Sequence, residues 1–286
     1  MRPEQWIKNG LVLAALVFAR QFEDPRAVTR SLLCLLSFIC LSSAVYLWND
    51  VRDRRRDHVH PVKSRRPIAS GALAAPLALA VAVVLALAGC AGALALSPGV
   101  AALGLGYLAN NLLYTFWVRQ QVILDVMSIS AGFLLRAMAG AAALAVEFSP
   151  WLLLCTLLLS LFLGLCKRRY EVVALQNNAQ LHRSTLGEYS IAFLDQAIGL
   201  VTASTLIAYS LYTLSHEVQS KLGSAELHWT IPIVLYGLFR YLYLVYNRQG
   251  GGDPSRLLVR DVPLLMSILI WGVAVVLLLA SAAPAH

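Results

Sequence analysis

Long apolar runs recur along this chain, and no other feature restricts its fold so strongly. "APLALAVAVVLALAGCAGALAL" (75–96) is one of them. At ~1.5 Å per helical residue, about 20 such residues cross the ~30 Å hydrocarbon core of a bilayer. In lipid every backbone polar group must be satisfied internally, so only helices and closed barrels span it. A barrel strand would alternate apolar and polar residues over ~10 positions, and these runs do not alternate. The chain is 59% hydrophobic and 13% charged, against ~45–50% and ~25% in soluble domains, too large an excess for a bigger core. The expectation is an all-α integral membrane protein. Nine spans are read at about 5–21, 28–48, 72–96, 99–117, 123–146, 149–166, 193–214, 228–246 and 262–281. "SPG" (97–99) and "FSP" (148–150) mark tight turns. No linker divides residues 1–286, which read as one membrane-embedded domain. "LVLAALVFA" is read as part of the first span, because Lys8 and Asn9 precede it without the basic start of a signal peptide.

The charges then set the orientation. With the N-terminus inside, the N-terminal segment and the connections after spans two, four, six and eight carry 17 of the 23 Lys/Arg. The positive-inside rule places them in the cytoplasm and, with nine spans, puts the C-terminus outside. This is the expectation for a multi-pass protein of the cell (cytoplasmic) membrane. Its net charge of +8 is spent on that belt. No soluble basic domain is left to bind nucleic acid. The five cysteines lie in or at the ends of apolar runs, without metal-ligand spacing.

The two large charged connections are 49–71 and 167–192. In the first, "NDVRDRRRD" continues span two. If it stays helical at ~100° per residue, Asp50, Asp53 and Asp57 share a ~60° sector. Arg52, Arg55 and Arg56 then point mainly away. Asp53 and Asp57 form a like-charge i,i+4 pair, and a bound cation would reverse its repulsion. Hard Mg²⁺ suits these carboxylates, with Asn49 adding an amide oxygen or a phosphate-facing donor. The rival reading is a cytoplasmic helix end laced with Arg–Asp pairs. Lys63, Arg65 and Arg66 would suit phosphate oxygens, or simply belong to the basic belt. Asn110 and Tyr114 share a face of span four. Asp125 opens span five beside Arg119, as a metal ligand, an orienter of a basic residue or a structural ion pair. Arg136 and Arg240 lie within spans and should face protein or a polar cavity. Glu188 and Tyr189 could border the cytoplasmic opening. His58 and His60 read as surface-loop residues.

"NDVRDRRRD" resembles the Asn-Asp-x-x-Asp-x-x-x-Asp signature of the UbiA superfamily of intramembrane prenyltransferases. "RPEQWIKN", "HPVKSRRPIASG" and "KRRYE" (167–171) extend the likeness to the polyprenyl-phosphate phosphoribosyltransferase branch, typified by decaprenyl-phosphate phosphoribosyltransferase. The resemblance implies a nine-transmembrane-helix UbiA-like bundle whose active site, in connections 49–71 and 167–192, faces the cytoplasm. It implies Mg²⁺-dependent transfer of 5-phosphoribosyl from phosphoribosyl pyrophosphate to a polyprenyl (decaprenyl-like) phosphate. The products would be polyprenylphosphoryl-5-phosphoribose and diphosphate, as in arabinan cell-wall precursor synthesis. Carried over, Asp50, Asp53 and Asp57 are the catalytic metal-holding residues, with Asn49 beside them. Lys8 would reach the phosphates from span one. Many members of the superfamily have a second acidic motif where this chain has Lys167, Arg168, Arg169 and Glu171. That departure suits a substrate pair richer in phosphate. Substrate contacts are accordingly expected from Lys8, Asn49, Lys63, Arg66, Asn110, Tyr114, Lys167, Arg168, Arg169, Glu171 and Tyr189, with Asp125 a further metal candidate. The expected partners are the two substrates and the lipid bilayer; a homo-oligomer is left open. Two other functions compete: a conventional prenyltransferase alkylating an aromatic or other small acceptor, and a non-catalytic lipid binder or transporter.

Overall fold

A computed structural model describes residues 3–281, apart from 60–62, 148, 175–183, 223–225, 249–250 and 253. His60 and the middle of the second charged connection therefore lie outside the described residues, as does the side chain of Lys63. Among the described residues every regular element is helical.

A 3-10 helix, Pro3–Leu13, runs into the short α1 (Ala14–Phe18). The expected first span is therefore mostly not α-helical. Its cause is close packing: at Gly140 on α6 (Leu124–Leu144) a methyl group would overlap the carbonyl oxygen of Val12. α2 (Pro25–Arg52) starts where the Asp24 carboxylate accepts the Arg26 N–H, with Pro25 at the first helical position. The five-residue α3 (Arg54–His58) follows it. α4 (Ala75–Leu96) and α5 (Pro98–Phe116) are hinged at the extended residue Ser97, whose hydroxyl accepts the Val100 N–H. After α6 come α7 (Pro150–Ala174), α8 (Ser184–Glu188), α9 (Ile191–Leu214), α10 (His216–Leu222), α11 (Ile231–Asn247), α12 (Pro254–Arg260) and α13 (Val262–Ser281).

Seven helices are long and apolar enough to cross a membrane: α2, α4, α6, α7, α9, α11 with its preceding 3-10 turn, and α13. α5 falls outside this group although it has 19 residues, since it carries the adjacent Asn110 and Asn111. The N-terminal segment Gln5–Phe18 is apolar but shorter. The expected count of nine is thus not reproduced by length and composition.

Helices adjacent in sequence are adjacent in space: α2 on α4, α4 on α5, α5 on α6, α6 on α7, α7 on α9, and α11 against both α9 and α13. One core joins the N-terminal segment to α2, α5 and α6 through Val12, Phe38, Leu41, Val100 and Tyr107. A second joins α6, α7, α9 and α11 through Val126, Phe162, Ile198 and Tyr241. Leu87, Leu200 and Leu277 face outward and are well exposed, as a surface solvated by lipid tails permits. This up-and-down course carries the end of α2, the end of α5, the start of α6 and the end of α7 to one end of the bundle. At the opposite end, Arg30 on α2 donates to the carbonyls of Leu96 and Ala143, lashing together the last turns of α4 and α6.

Candidate active site

The aspartate face survives in altered form. α2 stops at Arg52, and Asp53 is at once its C-cap and the residue before α3. The expected continuous helix is therefore broken at one residue. The break is slight, because Asp53 N–H still donates to Asn49 O (2.9 Å) and Asp57 N–H to Asp53 O (2.8 Å). Asp50 and Asp57 are buried and converge on a single Arg66 nitrogen, at 3.2 and 2.5 Å. Asp53 pairs with Arg119, at 3.0 Å. Asn49 accepts the Thr115 hydroxyl at 2.9 Å. Arg52, expected to point away, donates to the Thr115 carbonyl and lies over the Phe116 ring at 4.6 Å. It ties α2 to α5. Arg54, Arg55 and Arg56 do face solvent.

A second charged centre sits at the end of α7. Arg168 is buried and donates to Asp125 (2.6 Å), to Glu171 and to Tyr114 (3.3 Å). The Tyr189 hydroxyl donates to Asp125 (2.8 Å) and accepts the Ile123 N–H (2.7 Å). Burial pushes the Tyr189 phenol above its ordinary pKa, so it remains a proton donor at neutral pH. Ile123 has φ +70°, a strained conformation for a β-branched residue. The Tyr189 bond pins its amide, and this short connection between α5 and α6 also supplies Arg119. The two centres are thus joined through one loop. Arg169 pairs with Asp195 at 2.5 Å and lies 4.1 Å from the Tyr246 ring. Lys167 is half-buried and makes no ion pair among the described residues.

The remaining expected residues lie apart from these centres. Asn110 clamps α5 to α6 by exchanging hydrogen bonds with Ser128. Lys8 is half-buried on the 3-10 segment, whose Asn9 reaches Ser42 and accepts from Arg136 at 2.8 Å. Arg136 also donates to Gly132 O and the Tyr107 hydroxyl, so all its nitrogens are engaged within the bundle. Arg240 binds Asp261 through two nitrogens, at 3.0 and 2.8 Å. These bonds hold the Asp261 carboxyl below its usual pKa. Arg136 thus pairs in the interior as expected, whereas Arg240, with 28% of its side chain exposed, pairs with Asp261 nearer the surface. Thr115 and Asp195 went unnoticed in the sequence. Asp195 is an acidic residue in an apolar helix, a signal that could have found it; Thr115 carries none.

Carboxylate and amide oxygens are the donors that Mg²⁺ prefers. No three His, Cys, Asp or Glu side chains gather around one point among the described residues, because Arg66 and Arg119 divide the aspartates between them. Yet Asp50 and Asp57 already aim at one cationic position. The residues present therefore fit a divalent ion.

The profile of the UbiA prenyltransferase family matches residues 10–269. This chain belongs to the UbiA prenyltransferase family. It is 34% identical over 277 residues to the decaprenyl-phosphate phosphoribosyltransferase of Mycobacterium tuberculosis, an alignment covering 95% of this chain and 90% of that protein. The Corynebacterium glutamicum protein of the same name is 31% identical over 97% of this chain and 84% of its own length. The UbiA fold appears again in a solved UbiA homolog from Archaeoglobus fulgidus, bound to GPP and Mg²⁺. Its TM-score is 0.70 at 18% identity, over 96% of this chain and 97% of the other.

Proposed function

We propose that this UbiA family member transfers the 5-phosphoribosyl group of phosphoribosyl pyrophosphate to a polyprenyl phosphate. The observation that carries the reading is the pairing of two charged centres at one end of the bundle. One gathers Asp50, Asp53 and Asp57, and the other brings Lys167, Arg168 and Arg169 together beside Asp125, Glu171 and Asp195, charges that a metal-bound diphosphate donor and a further phosphate group call for. The name shared by relatives matching nearly the whole chain supports the same substrates.

Mg²⁺ bound at Asp50, Asp53 and Asp57 would supply Lewis-acid neutralisation of the departing diphosphate. Arg66, on the loop after α3, would face the donor's phosphates; Lys63 is a further candidate for them by its sequence position. Lys167, Arg168 and Arg169 serve the 5-phosphate and the lipid phosphate. Asp125 acts as an orienter, fixing Arg168 together with Tyr114 and Glu171, while Tyr189 holds Asp125. The acceptor oxygen bonds to ribose C1 as the bond from C1 to diphosphate breaks. A phosphate monoester has its second pKa near ~6, so the acceptor arrives as an anion and requires no general base. The polyprenyl chain lies along the outer apolar helix faces, in the bilayer.

On this reading the charged end faces the cytoplasm. α5 and the N-terminal segment complete nine spans around a single domain, with connections 49–71 and 167–192 forming the active site. The test is product identity. Purified protein with Mg²⁺, labelled phosphoribosyl pyrophosphate and decaprenyl phosphate should put label into the lipid fraction. Efficient alkylation of an aromatic acceptor by a prenyl diphosphate, with no labelled lipid phosphate, would replace this function with conventional prenyl transfer.

A further inference from the structure

We infer that Arg66 is a built-in counter-ion that holds the metal position closed until the donor arrives, and is then handed over to the donor's diphosphate. The inference rests on the reading of Asp50 and Asp57 as metal-holding residues. One Arg66 nitrogen lies 3.2 Å from Asp50 Oδ1 and 2.5 Å from Asp57 Oδ2. The Asp50 and Asp57 side chains are only 11% and 5% exposed. Two buried carboxylates aimed at one point repel each other unless a cation stands between them. In this structure the guanidinium supplies that charge, between the two carboxylates that would help to hold a divalent ion.

The surrounding backbone defines the kind of movement required. Ile68 and Ala69 are buried, and Ile68 packs with Leu47, Ala78 and Ala82 of α2 and α4. His58 Nδ1 lies 3.1 Å from the Ala69 carbonyl oxygen, and the Ser70 N–H donates to the Arg66 carbonyl at 2.8 Å. The loop is therefore fastened immediately after Arg66. Arg66, whose side chain is 27% exposed, reaches a new partner by rotating its own side chain. With Asp50 and Asp57 engaged by a metal ion, the Arg66 guanidinium would lose these two anions. The diphosphate that comes with the metal offers pairs of oxygens that a planar guanidinium can bind through two nitrogens. Metal and donor thus load together, and metal alone competes with Arg66.

This makes opposite predictions for two binding measurements on one variant. Arg66→Gln removes the charge but keeps a polar side chain of similar reach. Calorimetric titration of the full-length protein in detergent with MgCl₂ alone should show Mg²⁺ binding about fivefold tighter than wild type, equivalent to ~1 kcal/mol. Titration with phosphoribosyl pyrophosphate at saturating Mg²⁺ should show binding weakened by at least about fivefold. Arg66→Lys retains the charge but has one nitrogen and no fork. It should lie between Gln and wild type in both titrations, and it carries the test if the Gln variant does not fold. Weaker or unchanged Mg²⁺ binding in the variants would make Arg66 an organiser of the carboxylates, overturning the competition. Tighter Mg²⁺ binding with unchanged donor affinity would overturn the handover. The Mg²⁺ titration involves no donor. A wild-type protein that binds Mg²⁺ but no phosphoribosyl pyrophosphate would therefore sink the proposed function separately.

Discussion

Asp50 and Asp53 belong to the same acidic face, but each faces a different arginine. Asp50→Asn and Asp53→Asn should each preserve membrane insertion and reduce turnover at least about a hundredfold, as loss of a charge that stabilises the transition state does. Near-wild-type turnover of both variants at saturating Mg²⁺ would remove these residues from the site. Asp125 behaves differently, since its carboxylate is committed to Arg168 and Tyr189. Breaking one side of a buried ion pair costs ~3–5 kcal/mol. Asp125→Asn should therefore lower the unfolding temperature markedly while leaving Mg²⁺ affinity within about twofold of wild type; a collapse of Mg²⁺ affinity with unchanged stability would make it a ligand. The aspartates were legible because their chemistry is local, three carboxylates within eight residues. Their partners were not. Arg119 is 66 residues from Asp53, and nothing in its own neighbourhood announces that pairing. Arg66 stood out as a phosphate-facing cation, but its bridge between two carboxylates depends on how the loop after α3 folds back.

Among the elements, long apolar helices were readable because hydropathy and length decide them together. Their ends were less so. α7 continues to Ala174, beyond the expected stop near residue 166, because its charged last turns leave the lipid without leaving the helix. The N-terminal segment was misread in kind. Residues 5–21 read as an ordinary first span, but the conformation around Val12 is set by contact with α6. Gly140 is the test of that contact. A Cβ there meets backbone, which cannot swing aside as a side chain can. Gly140→Ala should cost ~1–3 kcal/mol and displace Asn9 from Arg136, measured as a lower unfolding temperature in detergent. An unchanged temperature would mean that the segment packs elsewhere.

For the whole molecule, orientation is the open physical variable. Arg55 on α3 and Ser220 on α10 are exposed at sites separated by the bundle. Single cysteines at 55 and 220 should react with a membrane-impermeant maleimide from opposite faces, 55 from the cytoplasm. Reaction of both from one face would demand a different number of crossings. Arg136 lies on α6, 11 residues beyond Asp125, or ~16 Å along the helix axis. Every guanidinium nitrogen there is occupied, and the group sits over Tyr107 at 4.5 Å and Phe133 at 5.4 Å. On the proposed reading, a metal ion and phosphates gather at one end of a membrane bundle, where a cation leak is a hazard. Here a fixed positive charge, wrapped in aromatic rings, stands in the way of any cation entering from that mouth. The network that seats the first segment therefore also makes the crossing of a cation through this part of the bundle costly.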